Sequence, residues 1–168
     1  MITHTIDKQH CFPVSQWDLS TYIDVKIELT SKEAKVPVYS SDGAAGFDFF
    51  AIHDEIIEVG KPKVIDTGVK IEVPRGFVLM LFSRSGHGFK NSVRLGNSVG
   101  ILDSDYRGNV AFLLAKDPND NDHHFLEVFK GDRIGQGIIL PYPSVRFEVA
   151  ETLSPTKRGE GGMGSTGR

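Results

Sequence analysis

Short runs of alternating polar and apolar residues, with no helical period sustained anywhere, constrain this chain more than any other feature of its sequence. Asp24-Val25-Lys26-Ile27-Glu28-Leu29 is the plainest case; a strand of that pattern turns one face to a core and the other to water. Comparable segments, bounded by glycine, proline and aspartate, predict strands over Tyr22–Leu29, Ile56–Val59, Lys63–Val73, Phe77–Phe82, Asn109–Leu114, Phe125–Phe129, Ile134–Leu140 and Val145–Ala150. The chain therefore reads as all-β. The spacing suits a sandwich or a jelly-roll-like barrel better than a doubly wound sheet. No internal repeat is found, and the polar run Lys116–His124 (KDPNDNDHH) predicts an exposed loop.

A chain of 168 residues with 39% apolar content is sufficient for one domain with a core of its own. Cys11 is the single cysteine, which excludes an intrachain disulfide framework and fits a reducing compartment. No apolar run approaches the roughly 18 residues of a membrane span, and the start of the chain lacks a signal-peptide pattern. The expected location is the cytoplasm, or the nucleus, with no membrane partner. A formal charge of −3 argues against a nucleic-acid polymer as partner. A bound nucleotide would be a small one.

Three motif matches fail on context. Gly159-x-Gly161-x-x-Gly164 fits the dinucleotide fingerprint, but no helix has room to follow it. Asp117-x-Asn119-x-Asn121 resembles the start of a calcium loop, yet Asp122 stands at the glycine position and Val128 at the glutamate position. His123 and His124 are adjacent and on a strand edge would point to opposite faces.

Two internal segments and the C-terminal run carry the chemistry. Gly96–Gly108 (GNSVGILDSDYRG) reads as a hairpin in which Asp103 and Asp105 either sit together or straddle a turn. An aspartate there can orient and deprotonate a water, and Tyr106 can lie against a sugar ring; the alternative is a turn whose aspartates cap backbone N–H groups. Phe82–Lys90 (FSRSGHGFK) clusters donors behind a strand, suited to phosphate oxygens particularly where a short helical turn begins at Ser85. Arg158–Arg168 (RGEGGMGSTGR) reads as a mobile arm whose glycines, hydroxyls and arginine suit a polyphosphate.

Together these segments resemble the trimeric deoxyuridine triphosphatase (dUTPase) family. Its five motifs occur in order as Ala44–Asp48, Arg84–Gly86, Gly100–Gly108, Gly131–Gln136 and the C-terminal arm, a cover from about Asp24 to Arg168. The resemblance implies a distorted jelly-roll, or β-clip barrel, forming a homotrimer with active sites at subunit interfaces. It implies an N-terminal extension over residues 1–22, a β domain over 23–152, and an arm over 153–168 that closes on a neighbouring subunit's site.

The activity implied is hydrolysis of dUTP to dUMP and pyrophosphate by water attack on the α-phosphorus, which keeps uracil out of DNA and supplies dUMP for thymidylate synthesis. Asp103 matches the residue that activates the water. Mg2+ is the implied cofactor, held mainly by the phosphates and by waters, with Asp48 as an outer-sphere carboxylate; magnesium keeps its waters readily. Arg84, Ser85, Gly86 and Gln136 match the α- and β-phosphate contacts, and Arg158, Gly164, Ser165 and Thr166 those at the γ end. Asn97, Gly100 and the backbone of Ile101, Leu102 and Ala111 match the uracil-reading groups, and Tyr106 packs on deoxyribose where a 2′-hydroxyl would collide.

Three departures stand out. Met163 takes the place of the aromatic residue that covers uracil, giving up stacking worth about 1 to 3 kcal/mol per base; the expectation is weaker closure of the arm and a higher Michaelis constant. Phe82-Ser83 precedes Arg84 where proline is usual, and the Lys116–His124 loop is longer than expected. Two rival readings are weaker. A deoxycytidine triphosphate deaminase needs a glutamate on the strand after the third motif, and Asn109–Leu114 has none. A regulatory module that switches a protein partner by nucleotide occupancy has no physical need to keep Asp103, Tyr106, Gln136 and Arg158 together.

Overall fold

The computed structural model describes residues 22–118 and 124–162. Strands follow in the order β1 (Lys26–Leu29), β2 (Val38–Tyr39), β3 (Phe47–Phe50), β4 (Glu55–Glu58), β5 (Lys63–Glu72) and β6 (Phe77–Phe82). A short helix α1 (Ser85–Asn91) intervenes before β7 (Val93–Leu95), β8 (Gly100–Leu102), β9 (Asn109–Lys116), β10 (Phe125–Val128) and β11 (Arg133–Pro141). The strands of each sheet pair antiparallel, in the orders β1-β5-β9-β7, β10-β4 and β2-β3-β11-β6-β8. The all-β expectation holds.

The core lies between the four- and five-stranded sheets. Phe49 of β3 and Phe112 of β9 are both fully buried, with ring centroids 5.5 Å apart, a favourable tilted aromatic contact. Strand period decides what faces the rings. On β11, Gly135 and Gly137 point inward: a Cβ on Gly135 would lie 2.0 Å from Phe112 Cε1, and one on Gly137 would lie 2.8 Å from Phe47 Cε2. Gln136, between them, faces out; likewise Phe47 and Phe49 are in the core while Asp48 projects from the other face. The packing of the rings thus fixes which polar side chains the outer face of β3 and β11 displays. Gly135→Ala is expected to destabilise the protein by about 3 kcal/mol or more, since overpacking a filled core has no cheap relaxation against a ring. Chemical denaturation measures it; a change below about 1 kcal/mol would refute the close fit.

The last expected strand is not formed. Val145–Ala150 keeps its alternation but has no strand partner among the described residues, where Phe147 and Val149 are 91% and 100% exposed. Tyr142 N–H still donates to Gly76 O (3.0 Å), so the sheets release the chain near Pro141. At the other end of the molecule, Arg94 holds Asp117 by two hydrogen bonds of 2.7 and 3.1 Å. The hydrogen bond from Arg94 sets the Asp117 carboxyl below the usual range. This anchors the start of the polar loop to β7, while residues 119–123, and with them Asn119, Asn121, Asp122 and His123, lie outside the described residues.

Candidate functional site

Two clusters gather the residues that the sequence singles out. The first is on the outer face of the five-stranded sheet. Strand register sets Gln136 of β11 opposite Asp48 of β3 on one side and opposite Phe82 of β6 on the other. The chain leaving β6 therefore delivers Arg84 beside Asp48. Arg84 Nε donates to Asp48 Oδ1 (3.1 Å), and its NH1 donates to the Arg133 carbonyl (3.1 Å). Asp48 Oδ2 accepts from Ser40 Oγ (2.6 Å) and lies 3.2 Å from Arg133 NH1. His87 Nε2 also bonds the Arg133 carbonyl (2.8 Å).

Asp48 is only 5% exposed, and burial of a carboxylate demands such partners. Two arginines and a hydroxyl supply them. Arg84 in turn is held as a fork with one free edge, its second terminal nitrogen having no partner among the described residues. Helix α1 begins at Ser85, where the donor-rich turn is expected, with Arg84 extended as its cap. Ser85 and Gly86 are exposed. Gln136 Nε2 donates to Ser83 O (3.1 Å), and Ser83 Oγ accepts from Leu95 N–H (2.7 Å). Ser83 thus ties the β6 exit to both β11 and β7.

The second cluster corrects the hairpin reading. β8 pairs with β6, whereas β9 pairs with β5 and β7, so the strands on either side of the Asp103–Tyr106 turn do not pair with each other. They belong to different sheets and splay apart. The gap between them is a cavity of about 320 Å³ that Asn97, Gly100, Ile101, Leu102, Asp103 and Tyr106 reach from one side and Ala111 from the other. Gly100 lets the backbone approach closely, because a Cβ there would lie 3.0 Å from Leu81 Cβ. Asn97 sits in a tight turn in which Ser98 N–H donates to Leu95 O (3.0 Å) and Ser98 takes φ 65°. Asp103 opens the next turn, where Tyr106 N–H donates to its carbonyl (3.1 Å), so Asp103 and Asp105 straddle a turn. The Asp103 carboxylate is exposed and has no partner among the described residues.

Arg84, Ser85, Gly86, Gln136 and Asp48 do not line that cavity. Arg158 lies apart as well, in a local turn where its Nε donates to Gly161 O (2.7 Å). Met163, Gly164, Ser165 and Thr166 lie outside the described residues. Sequence reasoning misses Arg133 and Ser40. Arg133 sits inside the fourth motif, but its role depends on register across β3 and β11, which no local pattern signals; Ser40 carries no signal at all. No group of three His, Cys, Asp or Glu side chains among the described residues could cage a metal ion.

An antiparallel β fold of three sheets thus carries a carboxylate–arginine cluster on one face and, apart from it, a cavity of about 320 Å³. The family model described as dUTPase matches residues 32–167. Deoxyuridine 5'-triphosphate nucleotidohydrolases of Nautilia profundicola and Clostridium tetani are 40% and 39% identical, over 86% and 88% of this chain and 99% of each relative. A dUTPase variant of Staphylococcus bacteriophage 80alpha, solved with dUpNHpp, superimposes with a TM-score of 0.79 at 27% identity, covering 86% of this chain and 99% of that one. The chain belongs to the dUTPase family.

Proposed function

We propose that this chain hydrolyses dUTP to dUMP and pyrophosphate, in a homotrimer whose active sites combine the cavity of one subunit with the arginine cluster of another. The observation that carries the proposal is the division of labour within one chain. Base- and water-handling groups share a cavity that contains no phosphate donor, while the phosphate donors sit on a separate face. A neighbouring subunit brings them together. The unpaired alternation of Val145–Ala150, with Phe147 and Val149 bare, supports the same assembly: a strand-like segment without a partner among the described residues is covered by another copy.

In this reading uracil enters the gap between β8 and β9. Backbone groups of Ile101, Leu102 and Ala111 and the Asn97 amide read its edge, and fixed backbone partners penalise cytosine because the wrong base leaves buried groups unpaired. Tyr106 walls the deoxyribose. Arg84 presents its free edge, and Ser85, Gly86 and the remaining Gln136 N–H complete the contacts to the α- and β-phosphates. Asp103 orients a water in line with the α-phosphorus and takes its proton. Arg158, Gly164, Ser165 and Thr166, within an arm over residues 153–168, hold the γ end.

The donor set fits an Mg2+ ion that arrives with the triphosphate rather than one caged by protein. Asp48 Oδ1 receives one donor from the described residues and retains a second lone-pair direction, enough for a water on such an ion. When bound, the ion neutralises the charge that develops on the phosphate oxygens.

Pyrophosphate release from dUTP, but not from dCTP, dTTP or UTP, is the expected result with Mg2+ present; equal turnover of dCTP would overturn the base assignment. Mixing an Asp103→Asn chain with a chain truncated after Lys157 is expected to restore activity that neither has alone. Absence of rescue in verified mixed trimers would count against shared sites.

A further inference from the structure

A chain of contacts that ends at Tyr106 in the cavity wall begins on β5, the strand beside β9. β5 carries an irregularity: its register with β9 jumps between Asp66 and Val69, so Asp66 faces Ala111, Val69 faces Val110 and Lys70 faces Asn109. The two extra residues are Thr67 and Gly68. Gly68 has φ 63°, and its N–H donates to Asp66 Oδ1 (2.9 Å); Thr67 Oγ1 donates to Val110 O (2.6 Å). This is a bulge closed by its own side chains, a device that re-aims a neighbouring group. What it aims is the Asp66 carboxylate, which accepts from Asn109 Nδ2 at 3.2 Å through Oδ2 and 3.5 Å through Oδ1.

Asn109 connects that contact to the cavity. It lines the cavity wall, and its backbone carbonyl accepts from Tyr106 Oη (3.1 Å). The phenol reaches it only because Gly108 has no side chain: a Cβ there would fall 2.2 Å from Tyr106 Oη. Tyr106 itself is 45% exposed, so burial alone does not fix its ring. The Asn109 carbonyl is the polar anchor of the phenol, and the Asp66 carboxylate anchors Asn109.

We propose that Asp66 and Asn109 are positioning residues that fix the Tyr106 phenol and thereby set the preference for deoxyribose over ribose. This rests on the reading of Tyr106 as the wall of the sugar. A wall discriminates against one added hydroxyl only while it stays in place. Loss of the Asp66 contact frees the Asn109 backbone that supplies the phenol's acceptor, so the ring shifts and UTP is admitted more than dUTP is altered.

The test is the ratio of kcat/KM for dUTP to that for UTP, measured by pyrophosphate release with the full-length protein. Asn109→Asp is isosteric, removes the donor and sets two carboxylates against each other; the ratio is expected to fall about fivefold, the scale of one net hydrogen bond. The pair Asp66→Asn with Asn109→Asp restores a donor and an acceptor in exchanged places, and is expected to return the ratio to within about twofold of wild type, as coupled residues do in a double-mutant cycle. Asn109→Ala, which leaves the Asp66 to Gly68 contact of the bulge in place, should match Asn109→Asp and keeps the test valid if facing carboxylates impair folding. Tyr106→Ala separates the two levels of the argument. An unchanged ratio in Tyr106→Ala removes the tyrosine from sugar selection and overturns the functional reading. A fall there, with no fall in Asn109→Asp and Asn109→Ala or no recovery in the double variant, overturns the positioning role alone.

Discussion

Asp103→Asn is expected to lower kcat for dUTP by about 10³-fold, within the range spanned by general acid–base groups, while affinity for a non-hydrolysable dUTP analogue changes only a few-fold. The reason is geometric. Asp103 stands where the chain leaves β8 of one sheet to enter β9 of the other, so its backbone is held from both sides. Its carboxylate has no partner among the described residues and is free to hold a water. Asparagine keeps the size and one acceptor but cannot take the proton that the attacking water gives up. An exposed site makes an isosteric change nearly neutral for stability, so lost activity cannot be blamed on unfolding. Single-turnover kinetics with an equilibrium binding measurement decides: an Asp103→Asn protein within tenfold of the wild-type rate removes Asp103 from the reaction, and lost binding with preserved rate makes it a contact to substrate instead.

The sequence exposes the parts of this fold whose cause is local. β5 and β6 are legible almost to the residue, because Lys63–Glu72 ends in the alternation Val69-Lys70-Ile71-Glu72, Phe77–Phe82 is a continuous apolar run, and Pro62, Pro74 and Gly76 close them off. β2, β7 and β8 are not legible as strands. Two or three residues carry no period, and they are extended only because β3, β9 and β6 are beside them. Val145–Ala150 fails in the opposite sense: its alternation is clear, yet alternation states what a segment does once paired, and the described part of this chain contains no edge that pairs with it. The hairpin expected over Gly96–Gly108 shows the same limit. Its residues gather in one cavity as the motif implies, but the splaying of β8 and β9 that creates the cavity depends on which sheets claim them.

The same distinction explains the site. Asp103 and Tyr106 are legible because the turn, its aspartates and its aromatic neighbour are contiguous. Arg133, Asp66 and Asn109 are not, because each acts across strands that lie far apart in sequence. Arg133 meets Asp48 through the β3–β11 register. Asp66 meets Asn109 through the β5 bulge. In a β protein the function of a side chain is set by its cross-strand neighbour, and that neighbour is the one thing a local pattern leaves out.

Arg84→Lys is expected to lower kcat/KM for dUTP by about 10²-fold or more, despite keeping the charge, because the site uses the shape of the guanidinium. Arg84 spends Nε on Asp48 Oδ1 and NH1 on the Arg133 carbonyl, and only then has an edge left for a phosphate oxygen. A lysine has one nitrogen on a flexible stem. It either satisfies the buried Asp48 carboxylate or reaches the phosphate. Stability should report which. If the ammonium turns to the phosphate, Asp48 loses a donor and the protein is destabilised by about 1 to 3 kcal/mol, the cost of leaving a buried group short of a partner; if it stays with Asp48, stability holds and kcat/KM alone falls. Ser40 and Arg133 still hold Oδ2 in either case, so Asp48 is weakened and not abandoned. Retention of kcat/KM to within about fivefold, less than the roughly 1.4 kcal/mol that a factor of ten represents, would show that a point charge suffices and that the fork between Asp48 and Arg133 is structural.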